Sequence, residues 1–128
     1  MEGLLSEGLP CLVFSEFPLP PGGFPSTLTV SSTGPASSAQ NDKMGRYAKM
    51  PGRTRNGQPV WRHQDTEEEF VFLNDNHHWL VGPNYTANNG GIYDSSSRDG
   101  IIDNTGWKYF TDDSEWVADI KMRVVGEF

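Results

Sequence analysis

The sequence predicts an all-β domain: a small antiparallel meander of six to eight short strands that closes into a barrel or compact sandwich. Three observations carry this. Short apolar or alternating runs recur along the chain, and none sustains a 3.6-residue period. Fourteen Gly and nine Pro among 128 residues separate those runs, a density that favours turns over helices. Asn56-Gly57 lies between two of the runs, and both residues accept the positive φ of a type I′ hairpin turn.

The length fits one domain on a prior of roughly 100–200 residues. Residues 1–26 read as an extended Pro-rich arm, 27–126 as a single module and 127–128 as a tail. In the arm, Pro10, Pro18, Pro20, Pro21 and Pro25 remove backbone donors and fix φ. Leu12, Val13, Phe14, Phe17 and Phe24 are too apolar for a free tail, so the arm is expected to lie over the domain or a partner.

Thr27-Leu28-Thr29-Val30-Ser31 alternates and is β-branched, which suits a half-buried first strand. Residues 32–42 form a loop of small residues. A second strand starts at Gly45 and is broken by Pro51-Gly52. Residues 59–63 follow the Asn-Gly turn as its partner. Residues 64–69 connect to Phe70-Val71-Phe72-Leu73, apolar on both faces as a central strand should be. Residues 74–76 turn the chain into a strand over 77–82. The stretch 83–103 is long, polar and rich in Asn and Gly, with a short strand expected at 90–93. Trp107-Lys108-Tyr109-Phe110 is another aromatic strand. From Trp116 to Val125 the chain reads as one strand, with Ile120, Met122 and Val124 on one face.

A net charge of −7 argues against nucleic acid as a partner, because phosphates require a basic face. No stretch reaches the ~20 apolar residues of a membrane span, so no membrane insertion is expected. Cys11 stands alone, which excludes an intramolecular disulfide and a cysteine-based zinc site. The first residues lack a basic n-region, and acids and prolines interrupt their apolar run, so no signal peptide is read.

The ordered motifs resemble a known pattern. They are Pro25 to Pro35, then Gly45-Arg46-Tyr47, then Asn56-Gly57-Gln58-Pro59-Val60-Trp61. Phe70-Val71-Phe72, Trp79-Leu80-Val81-Gly82, Trp107-Lys108-Tyr109, Trp116 and Asp119 to Val124 complete the set. Over residues 25–126 this resembles an uncharacterised repeat module of large invertebrate and algal multidomain proteins. The resemblance implies a repeated, usually extracellular unit of adhesion or recognition.

The residues themselves point to no catalytic signature. No serine sits in a nucleophile elbow, and Cys11 has no evident base. His63, His77 and His78 are the only histidines, and adjacent histidines on a strand face opposite ways. Asp94, Asp99 and Asp103 surround a glycine turn with hard oxygens, as Ca²⁺ prefers, so a calcium site is one expectation and no cofactor the other. Trp79, Asn84, Tyr85, Asn88, Asn89 and Tyr93 combine aromatic rings with amides around the long loop, the composition a glycan platform needs. The bland reading makes Trp61, Trp79, Trp107 and Trp116 core filler. Asn84-Tyr85-Thr86 is also a glycosylation sequon.

The leading expectation is a non-catalytic recognition or adhesion module for a glycan or protein partner. Its surface would be the loop 83–104 with the turns at 64–68 and 74–78, since loops held on rigid scaffolds commonly carry function. One alternative is a structural subunit that self-associates through residues 9–26. Another is a small hydrolase using the loop carboxylates.

Overall fold

The computed structural model describes residues 24–95 and 104–127. Nine strands form one antiparallel sheet: β1 (Thr27–Ser32), β2 (Gly45–Arg55), β3 (Gln58–His63), β4 (Phe70–Leu73), β5 (Trp79–Gly82), β6 (Ile92–Asp94), β7 (Trp107–Phe110), β8 (Trp116–Ala118) and β9 (Met122–Glu127). They neighbour one another in chain order from β8 back to β1, and β9 then pairs with β1. The sheet is a curled half barrel, not a sandwich of two sheets. A single turn of helix, α1 (Ala36–Ala39), and a 3₁₀ turn at Asn41–Lys43 occupy the segment expected to be loop.

Pleat parity explains the core. Residues two apart on a strand share a face, and one face of the curl is continuously apolar. Leu28, Val30, Tyr47, Trp61, Val71, Leu73, Trp79, Val81, Ile92, Trp107, Tyr109, Met122 and Val124 are all buried together on it. Trp61 and Trp79 pack at 5.9 Å between ring centroids. The indole of Trp61 donates to the carbonyl of Pro25 at 2.9 Å, and Phe24 packs edge-on against the same ring. The end of the arm is therefore part of the module, which begins before residue 27. Residues 1–23, where most of the self-association segment 9–26 falls, lie outside the described residues.

The outer face is different. It carries a small patch of Val60, Phe72 and Leu80, with Phe70, Tyr85 and Tyr93 packed against it. Phe70-Val71-Phe72-Leu73 is apolar throughout because it serves both faces.

The hairpin signal holds: Asn56 and Gly57 have φ of 55° and 80°. Pro51-Gly52 does not end β2. The strand runs on to Arg55, and only its ladder with β3 is interrupted, between Lys49 and Thr54. The expected strand from Trp116 to Val125 is two strands. Asp119 accepts the Met122 N–H at its carbonyl, 3.2 Å, and turns the chain. This division raises the count to nine, and it leaves Ile120 78% exposed, off the face it was expected to share with Met122 and Val124. Glu127 belongs to β9, opposite Thr27, and not to a tail.

Side chains bridge the seam between the two ends of the curl. Asn104 places its amide against the backbone of Val124, accepting from its N–H at 2.9 Å and donating to its carbonyl at 3.3 Å. Asp119 accepts from the Ser32 hydroxyl, the Ala36 N–H and the Lys121 N–H at 2.7, 3.0 and 2.9 Å. Burial alone would raise its pKa, but these donors outweigh burial and hold the carboxyl below its ordinary range. The opposite balance holds at Glu69. Burial pushes its pKa up, and the Lys43 ammonium 3.5 Å away only partly opposes this.

Candidate functional site

The outer-face patch leads to a cleft of about 300 Å³ lined by Asn74, Asn76, His78, Leu80, Asn88, Asn89, Gly90, Tyr93 and Trp116. Its floor comes from β5 and β6, where Leu80 and Tyr93 are direct register partners. One rim is the turn 74–78. Asn74 builds it, its Oδ1 accepting the N–H groups of Asn76 and His78, both at 2.9 Å. His77 has φ of 66°, so it belongs to the turn and not to a strand. The other rim is the loop 83–91. It folds back on β5 at a backbone approach that only glycine permits: a Cβ on Gly82 would lie 2.7 Å from the Cα of Gly90. The far wall is Trp116 on β8, perpendicular to Tyr93 with ring centroids 4.7 Å apart.

Arg55, at the tip of the β2–β3 hairpin, clamps the two rims together. Its guanidinium donates to the carbonyls of Tyr85 and Ala87 and to Asn88 Oδ1, and it pairs with Asp75 at 3.0 Å. Asn88 Oδ1 also accepts the N–H of Asp75 at 3.0 Å. Hydrogen bonds from Asn56, Arg55 and Asn88 lower the pKa of Asp75 and keep it ionised. With its oxygen occupied twice and a further bond to the Asp75 carboxylate, the Asn88 carboxamide is fixed within the rim.

The imidazole of His78 is also set in one tautomer. Its Nδ1 lies 3.2 Å from the carbonyl of Asp94. A carbonyl only accepts, so Nδ1 carries a hydrogen, and in the neutral ring Nε2 is then the acceptor. The cleft thus combines amide donors and acceptors, a fixed imidazole acceptor and two aromatic rings. Among the described residues, no Asp, Glu, Lys or Arg lines it.

Of the residues expected to bind a ligand, Asn88, Asn89 and Tyr93 come together here. Trp79 does not, because it is fully buried in the inner core. Tyr85 packs on Phe70 at 5.1 Å and accepts a hydrogen bond from Arg53 at its hydroxyl, so it fastens the loop to the sheet. Asn84 is exposed but folds onto Thr86, accepting from its N–H and its hydroxyl at 2.9 and 2.6 Å. The turn 64–68 lines a different cleft.

That second cleft, about 480 Å³, lies beside the interrupted β2–β3 ladder and includes Met50, Pro51, Arg53, Arg62, His63, Gln64 and Glu67. It is larger, but it offers no Phe, Tyr or Trp. Arg62 is engaged by Glu67, and His63 is held by its Nε2 against the Met44 carbonyl at 2.8 Å. We therefore take the smaller cleft as the site.

Trp116 is the residue that sequence reasoning missed. It was grouped with the core tryptophans, yet it is 41% exposed. No sequence signal marked it: Trp116 opens what reads as one strand to Val125, and only the turn at Asp119 makes β8 a three-residue edge strand, which buries little.

Asp94 is fully buried on β6, while Asp99 and Asp103, the other expected calcium ligands, lie outside the described residues. Among the described residues, no group of three or more His, Cys, Asp or Glu is placed to hold a metal ion. Among them, too, no helix is long and apolar enough to cross a membrane. No protein family, curated protein or solved structure matches this chain.

Proposed function

We propose that the chain is a non-catalytic recognition module whose binding surface is the cleft between the turn 74–78 and the loop 83–91. One observation carries this reading. An exposed tryptophan and a half-buried tyrosine stand beside four asparagines, on rims clamped by Arg55. Aromatic rings beside convergent polar groups are what small binding sites present. A clamped rim loses little entropy when a ligand arrives. The resemblance to a repeated adhesion-type module agrees with this reading.

A glycan array and a pull-down from source extract test it, each run with the wild type, Trp116→Ala and Asn88→Ala. We expect both variants to lose whatever the wild type captures. Ligand binding that neither substitution weakens would remove the cleft from the reading.

A further inference from the structure

We infer that the cleft takes a neutral sugar ring stacked on Trp116 and discriminates against charged sugars. This rests on the cleft being the binding surface.

The charge argument comes first. Among the described residues, no Asp, Glu, Lys or Arg side chain lines the cleft. Arg55 is the cation that braces the rim, and its guanidinium is already shared among Tyr85, Ala87, Asn88 and Asp75. A carboxylate or sulfate entering the cleft would lose water and gain no partner cation, on a chain of net charge −7. A cationic sugar fares no better, because Asp75 is committed to Asn56 and Arg55.

The shape of the polar groups favours sugar over an apolar peptide. Each sugar hydroxyl both donates and accepts. The cleft matches this with the amides of Asn76 and Asn89 and, in the neutral ring, the acceptor Nε2 of His78. An apolar peptide side chain would bury these groups without partners, which is costly. The rings match the other side of a pyranose, its apolar C–H face. Trp116 is held by edge-on contacts with Tyr93 and with Phe110, at 4.7 and 5.1 Å between ring centroids, yet stays 41% exposed. Its orientation is fixed before any ligand arrives. The volume of about 300 Å³ sits at the small end of ligand sites, suiting one ring or the end of a chain.

The test is an amide-resolved NMR titration of the full chain. The probes are methyl β-glucoside, methyl β-galactoside and N-acetylglucosamine, with glucuronate and N-acetylneuraminate as charged controls. We expect at least one neutral sugar to shift the side-chain amides of Asn76, Asn88 and Asn89 and the indole N–H of Trp116. Trp116→Ala should weaken that sugar about tenfold, and Trp116→Phe should restore part of the loss. His78→Phe, which keeps a ring but removes the acceptor, should weaken it independently.

Equal or tighter binding of the charged controls would overturn the inference. So would neutral-sugar shifts confined to other surfaces, or an absence of shifts with every sugar. If no sugar binds but Trp116→Ala abolishes capture of a protein partner, the sugar inference falls and the recognition reading stands. If the cleft variants alter no ligand at all, both fall.

Discussion

Trp79 and Trp116 are the same residue type on the same sheet, three strands apart, and they do opposite things. Trp79 stands on the inner face of the curl and is fully buried against Trp61. Trp116 stands on the outer face of the edge strand β8 and keeps 41% of its surface in solvent. The contrast extends to their surroundings. The inner face is one continuous apolar cluster. The outer face has a small patch, then asparagines held by an arginine. A curled sheet has one concave side to fill, while the convex side buries only Val60, Phe72 and Leu80 and leaves Trp116 part-exposed at its edge.

The largest expected effect breaks the inner side. Trp79→Ala removes a buried indole and leaves a cavity, so we expect a loss of about 3–5 kcal/mol, read as a lower urea midpoint. Trp116→Ala should move the same midpoint by less than about 1 kcal/mol while binding is lost. Equal losses of stability from both would mean that the two faces are not distinct.

The seam should come next. Asp119→Ala strands the donors of Ser32, Ala36 and Lys121, and we expect a loss of about 1–3 kcal/mol. pH separates this carboxyl from Glu69. The folded pKa of Asp119 is depressed, so its contribution is present above its unfolded value of about 3.9 and disappears as pH falls through the folded value. Asp119→Asn should flatten that acid limb of stability. The pKa of Glu69 is raised, so its sign is reversed: ionising it costs the fold, and stability declines as pH rises from its unfolded value of about 4.3 through the folded one. Glu69→Gln should remove that decline. Urea midpoints measured at several acidic pH values for the three proteins would show both slopes, and equal slopes would refute the assignment.

Smaller still is the effect of Arg55→Met on stability, since much of what Arg55 holds is surface loop. We expect about 1–2 kcal/mol from the lost charge-assisted bonds. Its effect on the site should be greater in kind. Hydrogen exchange at Ala87, Asn88 and Asp75 should accelerate, and ligand affinity should fall without any direct contact being removed. Unchanged exchange at those amides would show that the clamp is unnecessary.

Strand positions were legible wherever a run was apolar on alternate residues or flanked by turn chemistry. Thr27–Ser32 is one such run, and the Asn56-Gly57 hairpin is another. The division at Asp119 was not, because the alternation of Ile120, Met122 and Val124 mimics a continuous strand. What divides it is a long-range contact, the carboxyl of Asp119 capturing Ser32 and Ala36. Three of the residues expected around a ligand do line the proposed cleft. Asn88, Asn89 and Tyr93 stood out as aromatic and amide residues in an irregular segment. Tyr85 looked the same in sequence and proved to be a fastener, because Arg53 and Phe70 approach it from elsewhere in the chain.

The sequence by itself determined the secondary structure class, the principal hairpin and a pool of asparagines and aromatics near the site. These depend on backbone preference and on neighbours within a few residues. Only the tertiary structure decided which face each tryptophan occupies and which loops meet. It also decided that the carboxamide of Asn88 is held between Arg55 and Asp75. Those outcomes depend on the curl of the sheet and on partners such as Arg55, more than thirty positions away from Asn88 along the chain.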